Sequence, residues 1–261
     1  MRKKQIVNLV NREKHISVEE LATTFSVSVE TIRRDLKALD TKGLLVRVHG
    51  GATSKETSDV GTSFAQRAKS NVEDKQQLVE IAISQIKEHS VIGLDASSSS
   101  WLLAQSMPNI KCTVVTNSIN IINALEKKSN INIISVGGNY SEKYKSFYGI
   151  IARNTLNKMS LDLCFISCVG IDLNSGIWDS NEYNYEIKQS LIDVSNKTIL
   201  IADKSKLNKR SLLKICEIDT LNCLITNAQL TKGESQKLDD KNVIVNPTDA
   251  ERQDKTTDFV Y

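Results

Sequence analysis

Only two prolines and 11 glycines occur among the 261 residues of this chain. That scarcity excludes collagen-like repeats, proline-rich spacers and a chain made mostly of tight turns. No apolar run approaches the roughly 20 residues that span a bilayer. The basic start, Met1-Arg2-Lys3-Lys4, leads into an apolar stretch broken at Asn8 and Asn11, so it fails as a signal peptide. A cytoplasmic protein with no membrane partner is the expectation. Histidines are few: His15, His49 and His89 are scattered, and two lie near the N-terminus. The five cysteines, Cys112, Cys164, Cys168, Cys216 and Cys223, are odd in number and sit mostly inside apolar runs. No CxxC pair meets a second pair or two histidines, so no structural zinc site, metal or cofactor is expected. Buried free thiols in a reducing compartment fit this pattern.

What is present is enough apolar residue, 40%, to build a sizeable core over a length that suits two domains. Charge divides unevenly. Residues 1–56 carry 11 Lys and Arg against seven Asp and Glu, net +4, whereas the rest comes to −1. A polyanion partner is therefore expected for the N-terminal segment alone.

That segment reads as three short helices. Ile6, Val7, Leu9 and Val10 give the first an apolar face from about Arg2 to Asn11. Ser17-Val18-Glu19-Glu20 forms a capping box that opens a second helix ending near Phe25. Ser28 caps a third, from Val29 to about Lys42, which Gly43 stops. Val29, Ile32, Leu36 and Leu39 share one face of this helix, leaving Glu30, Thr31, Arg33, Arg34 and Lys37 outside it. Two capped helices joined by a short turn make a helix-turn-helix, whose second helix enters the major groove of double-stranded DNA. Arginine there can bond guanine edges or phosphates, although a charged helix face can also be merely solvated. Leu44-Leu45-Val46-Arg47-Val48-His49-Gly50-Gly51 then reads as a short β-wing, with Arg47, His49 and Gly50 as candidate DNA contacts beside Ser28 and the exposed helix residues.

The run Ser28–Leu36, followed by Gly43–Ala52, resembles the winged helix-turn-helix signature of the DeoR family of bacterial transcription regulators. The domains expected are 1–56 for DNA binding, a linker over 57–74, and 75–261 for sensing; Gly, Ser and Thr mark the boundary at 50–63.

Beyond the boundary, β-branched runs alternate with helical patterns. The runs are Val91–Leu94, Thr113–Val115, Ile131–Val136, Leu163–Val169, Thr198–Ala202, Leu224–Ile225 and Val243–Val245. Between several of them, 75–87, 99–106, 119–127 and 184–194 read as helices. Such alternation predicts an α/β domain with a mostly parallel sheet. Polar and glycine residues follow successive runs: Asp95, Thr116-Asn117, Gly137-Gly138, Gly170 and Asp203-Lys204. Strand ends of an open α/β sheet are where ligands bind, though such residues are also ordinary in βα turns. Ser97 and Ser98 open a helix and make a candidate phosphate cradle, with Gly137-Gly138 offering backbone amides and Lys188 or Lys204 a cation.

Phe64, Arg67, Lys75, Asp95, Thr116-Asn117-Ser118, Gly137-Gly138, Gly149, Gly170, Gly176, Lys188 and Asp203–Lys206 look like the DeoR-type effector domain. That resemblance implies an α/β fold related to ribose-5-phosphate isomerase and a phosphorylated sugar as effector. Three stretches match the fucose-operon branch of the family more tightly: Asp95–Ala104, Lys143-Tyr144, and Ser167–Asp172 with Gly176–Asn181. They imply L-fuculose 1-phosphate as the effector, with L-rhamnulose 1-phosphate the nearest alternative, and add Lys143, Tyr144, Asp172, Trp178 and Asp179 as effector-binding candidates. The Trp178 indole would wall the methyl of a 6-deoxy sugar. Asn184 and Asn227 stand where acidic residues are common in the family, which leaves the exact sugar open. A sugar-phosphate isomerase is the competing function, with Asp172, Glu182 and Lys188 cast as its chemistry. This chain lacks the paired aspartates and the glycine-rich turn followed closely by a glutamate of the isomerase pattern, and such an enzyme has no use for the N-terminal segment. A homo-oligomeric, non-catalytic regulator is the expectation.

Overall fold

Hydroxyl caps set the helix boundaries in the first of two units. The computed structural model describes residues 2–13, 15–48, 50–53 and 61–246, and the chain divides into Met1–Val60 and Gly61–Tyr261. In the first unit, α1 (Arg2–Glu13) is followed by β1 (His15–Ser17), α2 (Val18–Thr24), α3 (Val29–Thr41), β2 (Val46–Val48) and β3 (Gly51–Thr53). Ser17 accepts the Glu20 N–H, and Glu20 accepts the Ser17 N–H at 2.9 Å, completing the capping box. Ser28 accepts the Thr31 N–H and starts α3. Ile6, Val10, Leu21, Ile32, Leu36 and Leu45 close one small core. The wing has β2 and β3 antiparallel, with β1 on the other side of β3. β1 has no signal in the sequence, because three residues are too few to show alternation.

The second unit runs α4 (Phe64–Lys69), α5 (Val72–Ile83), β4 (Val91–Leu94), α6 (Ser98–Ser106), β5 (Cys112–Thr116), α7 (Ile119–Leu125), β6 (Ile131–Ser135), β7 (Asn139–Ser141), β8 (Ser146–Tyr148), α8 (Ile150–Leu156), β9 (Leu163–Ile166), β10 (Gly170–Asp172), β11 (Gly176–Asp179), α9 (Glu182–Asp193), β12 (Thr198–Ile201), β13 (Leu213–Cys216), β14 (Cys223–Ile225), α10 (Lys232–Asp239) and β15 (Ile244–Asn246). Seven of these strands form one parallel sheet in the order β15-β14-β12-β9-β4-β5-β6. Alternate residues serve opposite faces, as the two-residue strand period requires. Leu163 and Phe165 pack with α5, α6 and α7, whereas Cys164 and Ile166 pack with α8, α9 and α10. The sheet is thus buried on both sides, which is why its strands are almost wholly apolar.

Strand order reverses between β4 and β9. From there the chain proceeds outward one way through β5 and β6 and the other way through β12, β14 and β15. A crevice opens at such a switch point, beyond the carboxyl ends of the strands. Two smaller sheets complete the unit: an antiparallel sheet of order β10-β11-β13, whose Asp179 lines the crevice, and the β7–β8 hairpin. Part of the expected linker is helical instead. Ser63 and Gln66 form a capping box that starts α4, and Asn71 precedes α5.

Candidate functional site

In the first unit α3 buries Ile32, Asp35, Leu36 and Leu39 and leaves Glu30, Arg33, Arg34 and Lys37 exposed. Thr31 is half-buried, its hydroxyl 2.9 Å from that of Ser28. Arg47 is exposed on β2, with its N–H on Asp40, and Gly50 is exposed in the wing turn at φ +80°. The predicted contacts Ser28, Glu30, Thr31, Arg33, Arg34, Lys37, Arg47 and Gly50 therefore lie on the solvent side of α3 and its cap, or on the wing. His49 lies outside the described residues.

Asp35 was not anticipated. It sits on the apolar face of α3, where Arg2 Nε donates to it at 2.7 Å and Lys3 Nζ lies at 3.6 Å. The pair ties α1 to α3 and so sets the angle at which α3 is presented. Asp35→Asn removes a negative charge, which by electrostatics alone strengthens DNA binding. Loss of the tie is expected to prevail for a specific site, weakening operator affinity about fivefold if roughly 1 kcal/mol of the charge-assisted bond is felt in binding. Affinity for random duplex should hold or rise. Fluorescence anisotropy on both duplexes checks this, and equal gains on both would refute the orienting role.

The cleft of the second unit lies at the switch point. Its cavity measures about 140 Å³ and opens to solvent at its mouth. Ser97, Ser98 and Ser99 enter from the β4–α6 turn and Ser167, Cys168 and Val169 from the end of β9. Asp179 comes from β11, Asn184 and Lys188 from α9, Arg67 and Ser70 from α4 and its end, Lys75 from α5, and Lys206 from the turn after β12. An adjoining recess adds Asp95 and Asn117.

Asp95 organises rather than waits. Oδ1 accepts the Ser97 N–H at 3.2 Å and the Ser100 hydroxyl at 2.6 Å, and Oδ2 accepts the Ser167 N–H at 3.1 Å. One carboxylate thus joins the ends of β4 and β9. Lys188 Nζ bonds Asp179 and lies 3.6 Å from Asp95. Burial opposes the charged amine, but Asp179 and Asp95 raise its pKa above the usual lysine value. Lys75 behaves oppositely. Burial lowers its pKa to about 8; Asp203 raises it, but Lys206 and Arg67 lower it further. Its Nζ donates to Arg67 O at 2.7 Å and Ser70 O at 2.6 Å. Burial pushes the Cys168 thiol up to about 12, so it is a neutral wall, not a nucleophile.

Of the predicted effector contacts, Ser97, Ser98 and Asp179–Lys188 meet in the cleft, with Asp95 and Asn117 in its recess. The Ser97 hydroxyl is already committed to capping α6, where it accepts the Ser100 N–H at 3.0 Å. The others are placed elsewhere, each for a local reason. Thr116 donates its hydroxyl to Leu94 O at 2.8 Å, joining β5 to β4. Gly137 and Gly138 follow β6, at the sheet edge; a Cβ on Gly138 would stand 2.5 Å from Tyr148 O, so that glycine serves packing. Gly170 likewise admits Lys209 O, 2.5 Å from where its Cβ would be. Asp172 is bonded by Arg210 at 2.7 Å and by the Asn174 N–H, which hold its carboxyl down at about 2. Lys204 is exposed and pairs with Asp74 at 3.1 Å.

Three aromatic or basic candidates also move. Trp178 neighbours Asp179 on β11, and successive strand residues face opposite ways, so Asp179 lines the cleft and the indole does not. Tyr144 is buried, with the Arg67 guanidinium 5.8 Å and Lys143 Nζ 5.3 Å from its ring centroid; neither Lys143 nor Tyr144 lines the cleft. Arg67, Ser70, Lys75 and Lys206 were absent from the predicted contacts. Lys75 carries a legible signal, because it stands with Leu78, Val79 and Ala82 on the buried face of α5.

No helix among the described residues is long and apolar enough to cross a membrane, and no group of His, Cys, Asp and Glu there suits a metal ion. Compared with known proteins, residues 2–58 match the family model described as DeoR-like helix-turn-helix domain, and residues 70–228 the one described as DeoR C terminal sensor domain. The chain is 44% identical over 225 residues to the L-fucose operon activator of Haemophilus influenzae, covering 86% of this chain and 90% of that protein. It is 38% identical over 244 residues to the uncharacterized HTH-type transcriptional regulator YulB of Bacillus subtilis, covering 94% and 95%. Ribose 5-phosphate isomerase A from Methanocaldococcus jannaschii overlaps 53% of this chain and 55% of its own at a TM-score of 0.41 and 15% identity. At that overlap the superposition adds nothing to the assignment, which the two domain matches carry.

Proposed function

The chain belongs to the DeoR family of transcriptional regulators, and on that premise we propose that a phosphorylated sugar, L-fuculose 1-phosphate first, binds in the cleft and alters operator binding by a homo-oligomer. The protein is a regulator, not an enzyme. The charge balance of the cleft carries the choice of ligand class. Arg67, Lys75, Lys188 and Lys206 face Asp179 and Asp95, an excess of two positive charges. A phosphate dianion neutralises that excess, and its oxygens suit the N–H donors and the Ser98 and Ser99 hydroxyls.

The choice of sugar is finer. It is supported by the identity to a protein described as an L-fucose operon activator and by an apolar wall. That wall is Val169 with the neutral Cys168 thiol, not Trp178. A 6-deoxy sugar ends in a methyl that such a wall favours by about 1–3 kcal/mol over a hydroxymethyl. L-Rhamnulose 1-phosphate shares the methyl and is the nearest competitor. An oligomer would set two α3 helices on half-sites about 34 Å apart, or multiples of it.

Calorimetric titration tests the proposal. L-Fuculose 1-phosphate should bind ahead of fructose 1-phosphate by about 5- to 150-fold, and free L-fucose should not bind measurably. Equal binding of free and phosphorylated sugar would refute the anion site. The pH profile is a second check. Affinity should rise as the phosphate loses its second proton near about pH 6. It should fall again above pH 8, because a bound dianion favours protonated Lys75, whose pKa in the free protein is about 8. Lys75→Met should abolish only the alkaline fall while weakening binding throughout.

A further inference from the structure

We propose that Gly61–Ser70 is a strap that reports occupation of the cleft to the DNA-binding unit; the proposal rests on the cleft being the sugar-phosphate site. Gly61 and Thr62 begin the second unit and are covalently continuous with the first. Both line the cleft, as do Arg67 and Ser70 from the same segment. A ligand there touches the residues at which the second unit begins.

Several ties hold the strap. The Phe64 N–H donates to Lys143 O at 2.9 Å, and its ring meets Trp101 edge-on with centroids 5.6 Å apart. Arg67 Nη2 reaches Ala96 O at 3.4 Å. Lys75 Nζ holds Arg67 O and Ser70 O, carbonyls at the end of α4. The second and third ties are made by cations that line the cleft. An arriving dianion competes for their N–H groups, and charge-assisted bonds to phosphate are about twice as strong as bonds to neutral carbonyls. Filling the cleft therefore draws Arg67 and Lys75 toward the ligand and loosens their hold on the end of α4. The strap has two arrangements, tied to the carbonyls or tied to the ligand, and the ligand favours one of them. That differential affinity is what a coupled equilibrium needs. Phe64 is the hinge pin: it does not itself line the cleft, although the Arg67 guanidinium stands 5.8 Å from its ring centroid.

Phe64→Ala removes the pin without removing a group that lines the cleft. Sugar-phosphate affinity by calorimetry should stay within about threefold of wild type, while the ligand-induced change in operator affinity, about 5- to 150-fold in wild type, should fall below about twofold. Hydrogen exchange on the wild-type protein gives an independent reading: saturating L-fuculose 1-phosphate should change protection of the amides of residues 64–70. A Phe64→Ala protein that binds ligand and keeps the full operator response overturns the strap and leaves the cleft assignment standing. Unchanged exchange over 64–70 in ligand-saturated wild type does the same, and decides the matter if the variant does not fold. Absence of sugar-phosphate binding by wild type overturns both.

Discussion

Replacing Arg33 and Arg34 together with alanine is expected to reduce operator affinity by about 30- to 25,000-fold, from two contacts at about 1–3 kcal/mol each. Both side chains are exposed on α3, and the one ion pair described for either is the Arg33–Glu30 contact at 3.8 Å on the surface. Such a pair stabilises little, so the unit should keep its fold and melting temperature. The salt dependence discriminates the roles. Each arginine that contacts a phosphate should flatten the log–log slope by about one unit when lost. An arginine that reads a base edge should instead relax sequence preference at one position. Wild-type affinity and slope in a folded double variant would remove α3 as the recognition helix.

The largest stability effect is expected at Lys188. Its amine is buried between Asp179 and Asp95, so Lys188→Met leaves two carboxylates without their cation. Breaking a buried pair from one side costs about 3–5 kcal/mol, or about 6–20 °C in melting temperature for a domain of this size. Asp179→Asn with Lys188→Met should recover much of the loss, because Asp95 keeps the Ser97 N–H, the Ser100 hydroxyl and the Ser167 N–H. If Lys188→Met alone melts like wild type, the buried triad is not what fixes α9 against the strand ends.

The parallel sheet was legible because its strands are buried on both faces and appear as unbroken β-branched runs. Val91–Leu94 was placed to the residue, and the other six strands within a few residues. The β10-β11-β13 sheet was not legible. Its strands are three or four residues long and two begin at glycine, too little for a period to show. The same limit hid the β7–β8 hairpin. For the cleft, strand ends pointed to Ser97, Ser98 and Asp95, but they pointed equally to Thr116, Gly137-Gly138 and Gly170. Strand order sets aside Gly137-Gly138, which follow β6 at the sheet edge, whereas Thr116 and Gly170 are set aside only by their own contacts with Leu94 O and Lys209 O. Helical periodicity carries two further signals. Asp35 sits with Ile32, Leu36 and Leu39, and Lys75 with Leu78, Val79 and Ala82. A charged residue on an apolar helix face must meet a partner or a site. One meets Arg2 and Lys3; the other lines the cleft. Strand alternation argues against Trp178 in the same way once Asp179 is taken into the cleft.

One titration tests the link between cleft and DNA most directly. A duplex selected by the protein from random sequence is bound at a fixed salt concentration, and L-fuculose 1-phosphate is added while anisotropy is read. Operator affinity should shift by about 5- to 150-fold, the range of a coupling free energy of about 1–3 kcal/mol, with a midpoint matching the calorimetric affinity. Free L-fucose at the same concentrations should leave the affinity where it was. An operator affinity that does not move while calorimetry shows the cleft filled would contradict the link.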